Sequence, residues 1–239
     1  MKLKFIGTRG EVKGASPRHR MHSSLLAVYR GYRLMVDCGY DWLGRLGEVR
    51  PRAILVTHGH PDHSWGIDGA ECPVYATEET WQTLGKHPVN DRRRAQARAP
   101  FSLAGFELEA FPVEHSIRAP AVGYRIRAGQ AVIFYAPDVV YIHDRTSALG
   151  GASVYIGDGA TPARSMVRRR GERLFGHTPI RTQLTWCQKE GVPRAIFTHC
   201  GSQIVAGDEE KVRRQVAGFA RERGVDVRIA FDGMELIIR

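Results

Sequence analysis

Between an apolar run and a glycine, the chain reads Thr57-His58-Gly59-His60-Pro61-Asp62-His63-Ser64-Trp65-Gly66. The run before it, Ala53-Ile54-Leu55-Val56, has the length and composition of a fully buried strand. Three histidines and an aspartate thus gather at the end of one strand, where a tight loop turns them toward a common point. Neutral imidazole and carboxylate are donors that Zn²⁺ and related first-row cations accept. One open catalytic ion does not need four donors from a single segment. Two ions sharing them is the better account.

Working outward, Lys2–Gly7 is apolar enough for a strand, and a polar loop from Glu11 to Ser24 carries Arg18, His19, Arg20 and His22. Leu25–Tyr29 and Arg33–Val36 flank an Arg30-Gly31-Tyr32 turn and read as a hairpin ending at Asp37. Past the histidine loop, Pro73–Ala76 reads as a strand, Glu78–Leu84 as a helix, and the basic stretch Lys86–Arg98 as a solvent-facing segment. Strands are expected at Glu107–Val113, Val122–Ile126, Ala131–Tyr135, Val154–Ile156 and Ala195–Thr198. Pro179–Glu190 and Asp208–Arg223 read as helices, the second with acids at its start and arginines at its end. Val227–Ala230 and Glu235–Ile238 are expected to close a final hairpin across Asp232-Gly233. Strands first, then strands alternating with helices, fit two sheets covered by helices, a four-layer α/β sandwich. With no repeat, low-complexity tract or Gly/Ser linker, residues 1–239 read as a single domain.

Composition narrows the partners. Of 239 residues 43% are apolar, which excludes a disordered tail, and no apolar run is long enough to span a bilayer. The opening residues are too short for a secretory h-region, so a cytoplasmic location is expected. Lys and Arg number 35 against 25 acids, a net charge of +10 that favours anionic partners, nucleic acid or phosphorylated metabolites, or else only keeps the surface soluble. Cys38, Cys72, Cys187 and Cys200 form no C-x-x-C pair and read as reduced thiols.

His-x-His-x-Asp-His after an apolar strand and a threonine resembles the signature of the metallo-β-lactamase superfamily of binuclear metallohydrolases, whose αββα sandwich agrees with the layers read above. The resemblance implies three further ligands, each following a strand: His115 after Val113, Asp138 after Ala136, and His199 after Thr198. By that match His58, His60 and His115 hold one ion, Asp62, His63 and His199 hold the other, and Asp138 bridges them. Zn²⁺ is the expected metal, and Mn²⁺ suits the same donors. Such a pair lowers the pKa of a bridging water and stabilises charge on a phosphoryl or carbonyl oxygen. Asp62 also serves to orient the resulting hydroxide. Asp37 matches the family's early aspartate, as an orienter of a ligand or as a turn-former before Gly39.

Within the superfamily the sequence is most similar to the phosphodiesterase branch typified by ribonuclease Z and the cyclic phosphodiesterase of phosphonate breakdown. Phe5-Ile-Gly-Thr8, the passage from His115 to Gly123-Tyr124, and Gly176-His177-Thr178 carry that likeness. It implies His177 as the general acid, with Asp158 standing where ribonuclease Z has a glutamate that orients its histidine. Only a short segment separates Asp138 from Val154, too few residues for the arm with which many of those enzymes grip transfer RNA. A different phosphodiester is therefore favoured, either a nucleic acid or a smaller molecule. Arg18, Arg20 and His22 in the first loop, and Arg168 in the basic segment before His177, are candidate substrate contacts because arginine forks match phosphate oxygens. Two alternatives share the metal core: an ester, lactone or thioester hydrolase, and a nucleic-acid-binding protein whose metal is structural. Similar enzymes are often dimers, so the resemblance admits a homodimer.

Overall fold

Ala53–Leu55 is buried on both faces and lies between two parallel neighbours, Tyr32–Val36 and Val74–Ala76. The computed structural model describes residues 1–239. From that central strand a seven-stranded sheet extends in the order Glu235–Ile237, Lys2–Gly7, Ser24–Tyr29, Tyr32–Val36, Ala53–Leu55, Val74–Ala76, Arg92–Arg94. An eight-stranded sheet runs Tyr141–Ile142, Phe106–Glu114, Ala121–Ala128, Ala131–Tyr135, Val154–Asp158, Arg194–Thr198, Asp226–Ile229, with Phe101–Leu103 also paired to Phe106–Glu114.

The layers follow from side-chain alternation along the strands. Along Ala131–Tyr135, Ile133 and Tyr135 join the inner core with Phe5, Leu34, Phe106 and Tyr124, while Val132 and Phe134 face outward toward helices. That outer face is covered by Ile180–Lys189, which buries Ile180, Gln183, Leu184 and Cys187 at helical spacing, and by Glu209–Arg221, which buries Val212, Val216 and Ala220. Asp208 caps the latter by accepting from the Lys211 N–H at 3.0 Å. On the far side of the first sheet, Met35, Ile54 and Val74 pack against Trp42, Ile67, Trp81 and Leu84. The result is the four-layer αββα sandwich. No helix is long and apolar enough to cross a membrane, and all four cysteines are free.

One expectation is corrected. Asp226–Ile229 and Glu235–Ile237 do not form a hairpin: the first pairs parallel to Arg194–Thr198 in the second sheet, the other antiparallel to Lys2–Gly7 in the first. Asp232 is committed elsewhere, accepting from Thr8 Oγ1 at 2.6 Å and from the N–H groups of Arg20 and Met21 at 2.7 and 2.9 Å. The chain therefore crosses between sheets instead of folding back. The basic stretch Lys86–Arg98 contains a strand, Arg92–Arg94, exposed throughout as the edge of the first sheet. A second basic run forms a separate small sheet, Arg168–Arg170 with Arg173–Phe175.

Parallel strands of both sheets end at the same edge of the sandwich. Asp37 and Thr57 follow two of them in the first sheet; Asp138, Asp158 and His199 follow or end three in the second. Convergent strand ends are where sheets of this kind present chemistry.

Candidate metal centre

The histidine loop is built on Asp37, which is buried at a positive φ of 61°. Its Oδ1 accepts from the Thr57 N–H at 2.8 Å and from the Thr57 hydroxyl at 2.9 Å, and its Oδ2 pairs with His63 Nδ1 at 2.9 Å. Pro61 opens a one-turn helix, Pro61–Ser64, that carries Asp62 and His63. Gly39 runs so close to the Asp62 carbonyl oxygen that a β-carbon there has no room. The second sheet supplies the rest. His115 follows Phe106–Glu114 with Nδ1 facing the Gly176 carbonyl at 3.2 Å, Asp138 follows Ala131–Tyr135, and His199 follows Arg194–Thr198 at φ 51°.

These side chains converge. Asp138 Oδ2 lies 3.4, 3.2 and 3.3 Å from the Nε2 atoms of His58, His63 and His115, and its Oδ1 lies 2.8 Å from His199 Nδ1. Asp62 Oδ2 is 3.2 Å from His63 Nε2 and 3.3 Å from His199 Nε2. His60 Nδ1 is 3.0 Å from His58 Nε2 and 3.3 Å from His115 Nε2. The donors form three overlapping groups, His58, His60, His115, Asp138; Asp62, His63, His199; and Asp138, Asp158, His177, His199, each with its atoms within 4.8 Å of one another.

The set fits metal cations. His63 Nε2, Asp138 Oδ1 and His199 Nδ1 are buried without a hydrogen bond of acceptable geometry, a costly condition unless something positive satisfies them. Burial pushes His58 well below the ordinary imidazole range and His115 down to about 4, against the pull of Asp138, so both present lone pairs. For His199 burial also acts downward, but Asp138 outweighs it and raises the ring to about 10. Against their own burial, Asp62 and Asp138 are held low by the surrounding histidines. Two carboxylates thus demand positive charge at the point where the nitrogens meet.

Beside this cluster His177 Nδ1 donates to Asp158 Oδ2 at 2.8 Å. Asp158 is fully buried; its Oδ2 also accepts from the Val139 N–H at 3.1 Å and its Oδ1 from the Ala160 N–H at 2.8 Å. Burial works against a charged His177, and the carboxylate outweighs it, raising the ring above its ordinary range. Gln183, which sequence reading missed, donates to the carbonyls of Asp158 and Thr178 at 2.7 and 2.8 Å and so ties the two loops together. Gly201 lies against the Ala160 carbonyl oxygen, which lets the His199 loop approach the Asp158 loop.

A cavity of about 420 Å³ opens over the cluster, lined by Glu11, Tyr40, His60, Pro61, Asp62, His115, Asp138, His177 and His199. Glu11 and Tyr40 were not legible in advance, since no metal-ligand spacing marks them. Of the expected substrate contacts, Arg18 does not line this cavity: it pairs with Glu209 at 3.0 Å and sits over the Phe231 ring at 4.1 Å. Arg20 is exposed, with its backbone N–H held by Asp232. His22 is buried behind Tyr40, whose hydroxyl is 3.2 Å from its Nε2, and is paired with Asp41. Arg168 is exposed on the small two-stranded sheet.

A sandwich of this topology with a His/Asp cluster at its strand ends defines the metal-dependent hydrolases of the metallo-β-lactamase fold. The family model described as a β-lactamase superfamily domain matches residues 32–200, and the chain belongs to that family. It is similar to the ribonuclease Z of Methanopyrus kandleri, 25% identical over 255 residues that cover 94% of this chain and 84% of the relative. Among solved structures it superposes on the metallo-β-lactamase fold protein YhfI of Bacillus subtilis with a TM-score of 0.79, at 21% identity over 98% of each chain. It also superposes on a diphosphatase of the PhnP family with a TM-score of 0.73, at 20% identity over 100% of this chain and 98% of that one.

Proposed function

We propose that this protein is a phosphodiesterase working with two divalent cations, Zn²⁺ foremost, in one domain spanning residues 1–239. His58, His60 and His115 would hold one ion, Asp62, His63 and His199 the other, with Asp138 shared. Bound there, the pair supplies a nucleophile from water near neutral pH and stabilises charge on a phosphoryl oxygen. The observation that carries the reading is His177, presented to the cavity and backed by buried Asp158 at 2.8 Å. With Nδ1–H donated to the carboxylate, the proton on Nε2 of the charged ring is the one available to a leaving oxygen, and Asp158 stabilises that charge before the transfer. Such an acid matters most for a poor leaving group, as a phosphodiester alkoxide is. Asp62, at the cavity wall, orients the attacking water. The similarity to ribonuclease Z and to a diphosphatase supports phosphorus over carbon, as does the net charge of +10.

The test is turnover by the metal-loaded protein of bis-p-nitrophenyl phosphate, a p-nitrophenyl carboxylic ester and a lactone. Phosphodiester turnover abolished by EDTA is expected. Ester or lactone turnover without phosphodiester turnover would replace this function with a carbon hydrolase.

A further inference from the structure

Between Asp158 and His177 the chain makes an excursion that this chemistry does not use. Arg168–Arg170 and Arg173–Phe175 pair only with each other, apart from both main sheets. The segment from 164 to 175 holds five arginines, Arg164, Arg168, Arg169, Arg170 and Arg173, and one glutamate. In a hairpin opposed residues share a face and successive residues alternate. The register Arg168↔Phe175 and Arg170↔Arg173 therefore puts three arginines and Phe175 on one face. Like charges directly opposed destabilise a strand pair, and a lone hairpin is marginal in water. None of the five guanidinium groups is in an ion pair, a condition shared with other surface arginines such as Arg20, Arg52 and Arg118; what sets these apart is their concentration in one short segment. The hairpin thus gathers unneutralised positive charge on one face.

The base of the hairpin is fixed to the candidate centre. The Met166 N–H donates to the His177 carbonyl at 3.1 Å, and the Gly176 N–H to the His115 carbonyl at 2.8 Å. Beside that base lies a cavity of about 450 Å³ walled by Thr161, Arg164, Ser165, Arg168, Ser202 and Gln203, with no carboxylate in its lining. Its two sides are the loops that leave Asp158 and His199.

We propose that the hairpin is a phosphate-binding arm for a single-stranded polynucleotide, and that the cavity at its base takes a phosphate next to the scissile one. This rests on the phosphodiesterase reading for the scissile group. Arg168 and Arg170 stand about 6.7 Å apart by strand rise, of the same order as neighbouring phosphates on a nucleic-acid strand. Guanidinium forks and hydroxyls match phosphate oxygens. Half-buried Phe175 on the same face offers a ring to a base, which favours a nucleotide strand over a bare diphosphate.

The test is binding of fluorescent phosphorothioate oligothymidylate, which resists cleavage, to the full metal-loaded chain, read by anisotropy across salt concentration. The Arg168→Ala/Arg170→Ala variant is expected to bind at least about tenfold more weakly at low salt, with a log–log salt slope smaller by about 1.4, two phosphate contacts at roughly 0.7 each. Arg92→Ala/Arg94→Ala removes the same charge from the exposed edge strand and is expected to change affinity less than about twofold. Equal losses in the two variants, or none in the first, overturn the arm. Pyrophosphate that competes with the oligonucleotide and loses affinity in parallel with it would overturn the polynucleotide assignment in favour of a diphosphate pocket. Wild-type protein that binds through the arm yet hydrolyses no phosphodiester would sink the proposed function and leave the arm standing.

Discussion

Asp158→Asn is an isosteric change at a fully buried carboxylate that accepts from three donors: His177 Nδ1 and the Val139 N–H on Oδ2, the Ala160 N–H on Oδ1. An asparagine amide replaces one of those oxygens with a donor, and either orientation sets it against a backbone N–H. Pointing the nitrogen toward Ala160 sacrifices one bond; pointing it toward Val139 sacrifices that bond and also confronts His177. The first orientation wins, and the loss is the bond to one half-buried backbone donor, at most about 1–3 kcal/mol. For a chain of this length that is a fall in Tm of roughly 2–12 °C. His177 keeps its partner but loses the negative charge behind it, so turnover of a poor-leaving-group phosphodiester should fall by at least about tenfold, a fraction of the roughly 10²–10⁴ that general acid catalysis supplies. Stability is measured by thermal and urea unfolding in EDTA, so that metal affinity does not enter, and turnover in the metal-loaded state. An Asn variant as stable as wild type and equally active on the poor leaving group would refute both the hydrogen-bond accounting and the role given to the pair.

Removing the ring itself, His177→Ala, should depress turnover far more for an alkyl phosphodiester than for a nitrophenyl one, because nitrophenolate leaves without a proton; equal losses in steady-state assays would remove the acid. Asp37→Ala strips Thr57 and His63 of their shared acceptor and should weaken metal binding about 10–100-fold in a competition titration with a chromogenic chelator, as loss of a ligand's orienting partner typically does; unchanged affinity would return Asp37 to a turn-forming role. His19 is buried beside Thr8, with Nε2 unpartnered, and burial lowers its pKa despite the nearby Asp232. The unfolded chain therefore takes up its proton first as pH falls through the ordinary imidazole range, so this contribution to stability is present above that range and lost below it. In EDTA, the urea midpoint of His19→Gln should decline less between pH 7.5 and 5 than that of wild type, and parallel declines would show that His19 is not held neutral.

The centre was legible where its donors stand close in sequence or follow an apolar strand. His58, His60, Asp62 and His63 occupy one loop, and His115, Asp138 and His199 each follow a buried strand whose hydrophobicity announces its end. Glu11 and Tyr40 were not, because they reach the cavity through long-range closure: the Gly10 N–H bonds the Cys200 carbonyl at 3.0 Å across most of the chain, and no local pattern encodes that contact. The closing hairpin was misread for a related reason. Asp-Gly is a strong local turn signal, but Asp232 is held by Thr8, Arg20 and Met21, and those distant donors decide where the strands go. Arg92–Arg94 pairs through its backbone at an edge and carries no apolar alternation to reveal it. Charge alone was also a poor guide to direction: Arg18 and Arg168 read alike in sequence, yet one is neutralised by Glu209 and the other is left unpaired beside the base of the His177 loop.

The central claim is that seven side chains hold a pair of cations, and equilibrium metal analysis tests it most directly. After dialysis against Zn²⁺ and removal of the excess, about two equivalents per folded chain are expected, as for two-metal hydrolases. Asp138→Ala, which removes the shared carboxylate, should lower occupancy of both positions while circular dichroism stays that of the folded protein. A folded wild-type chain that retains no zinc, or an Asp138→Ala variant that retains the full complement, would contradict the account.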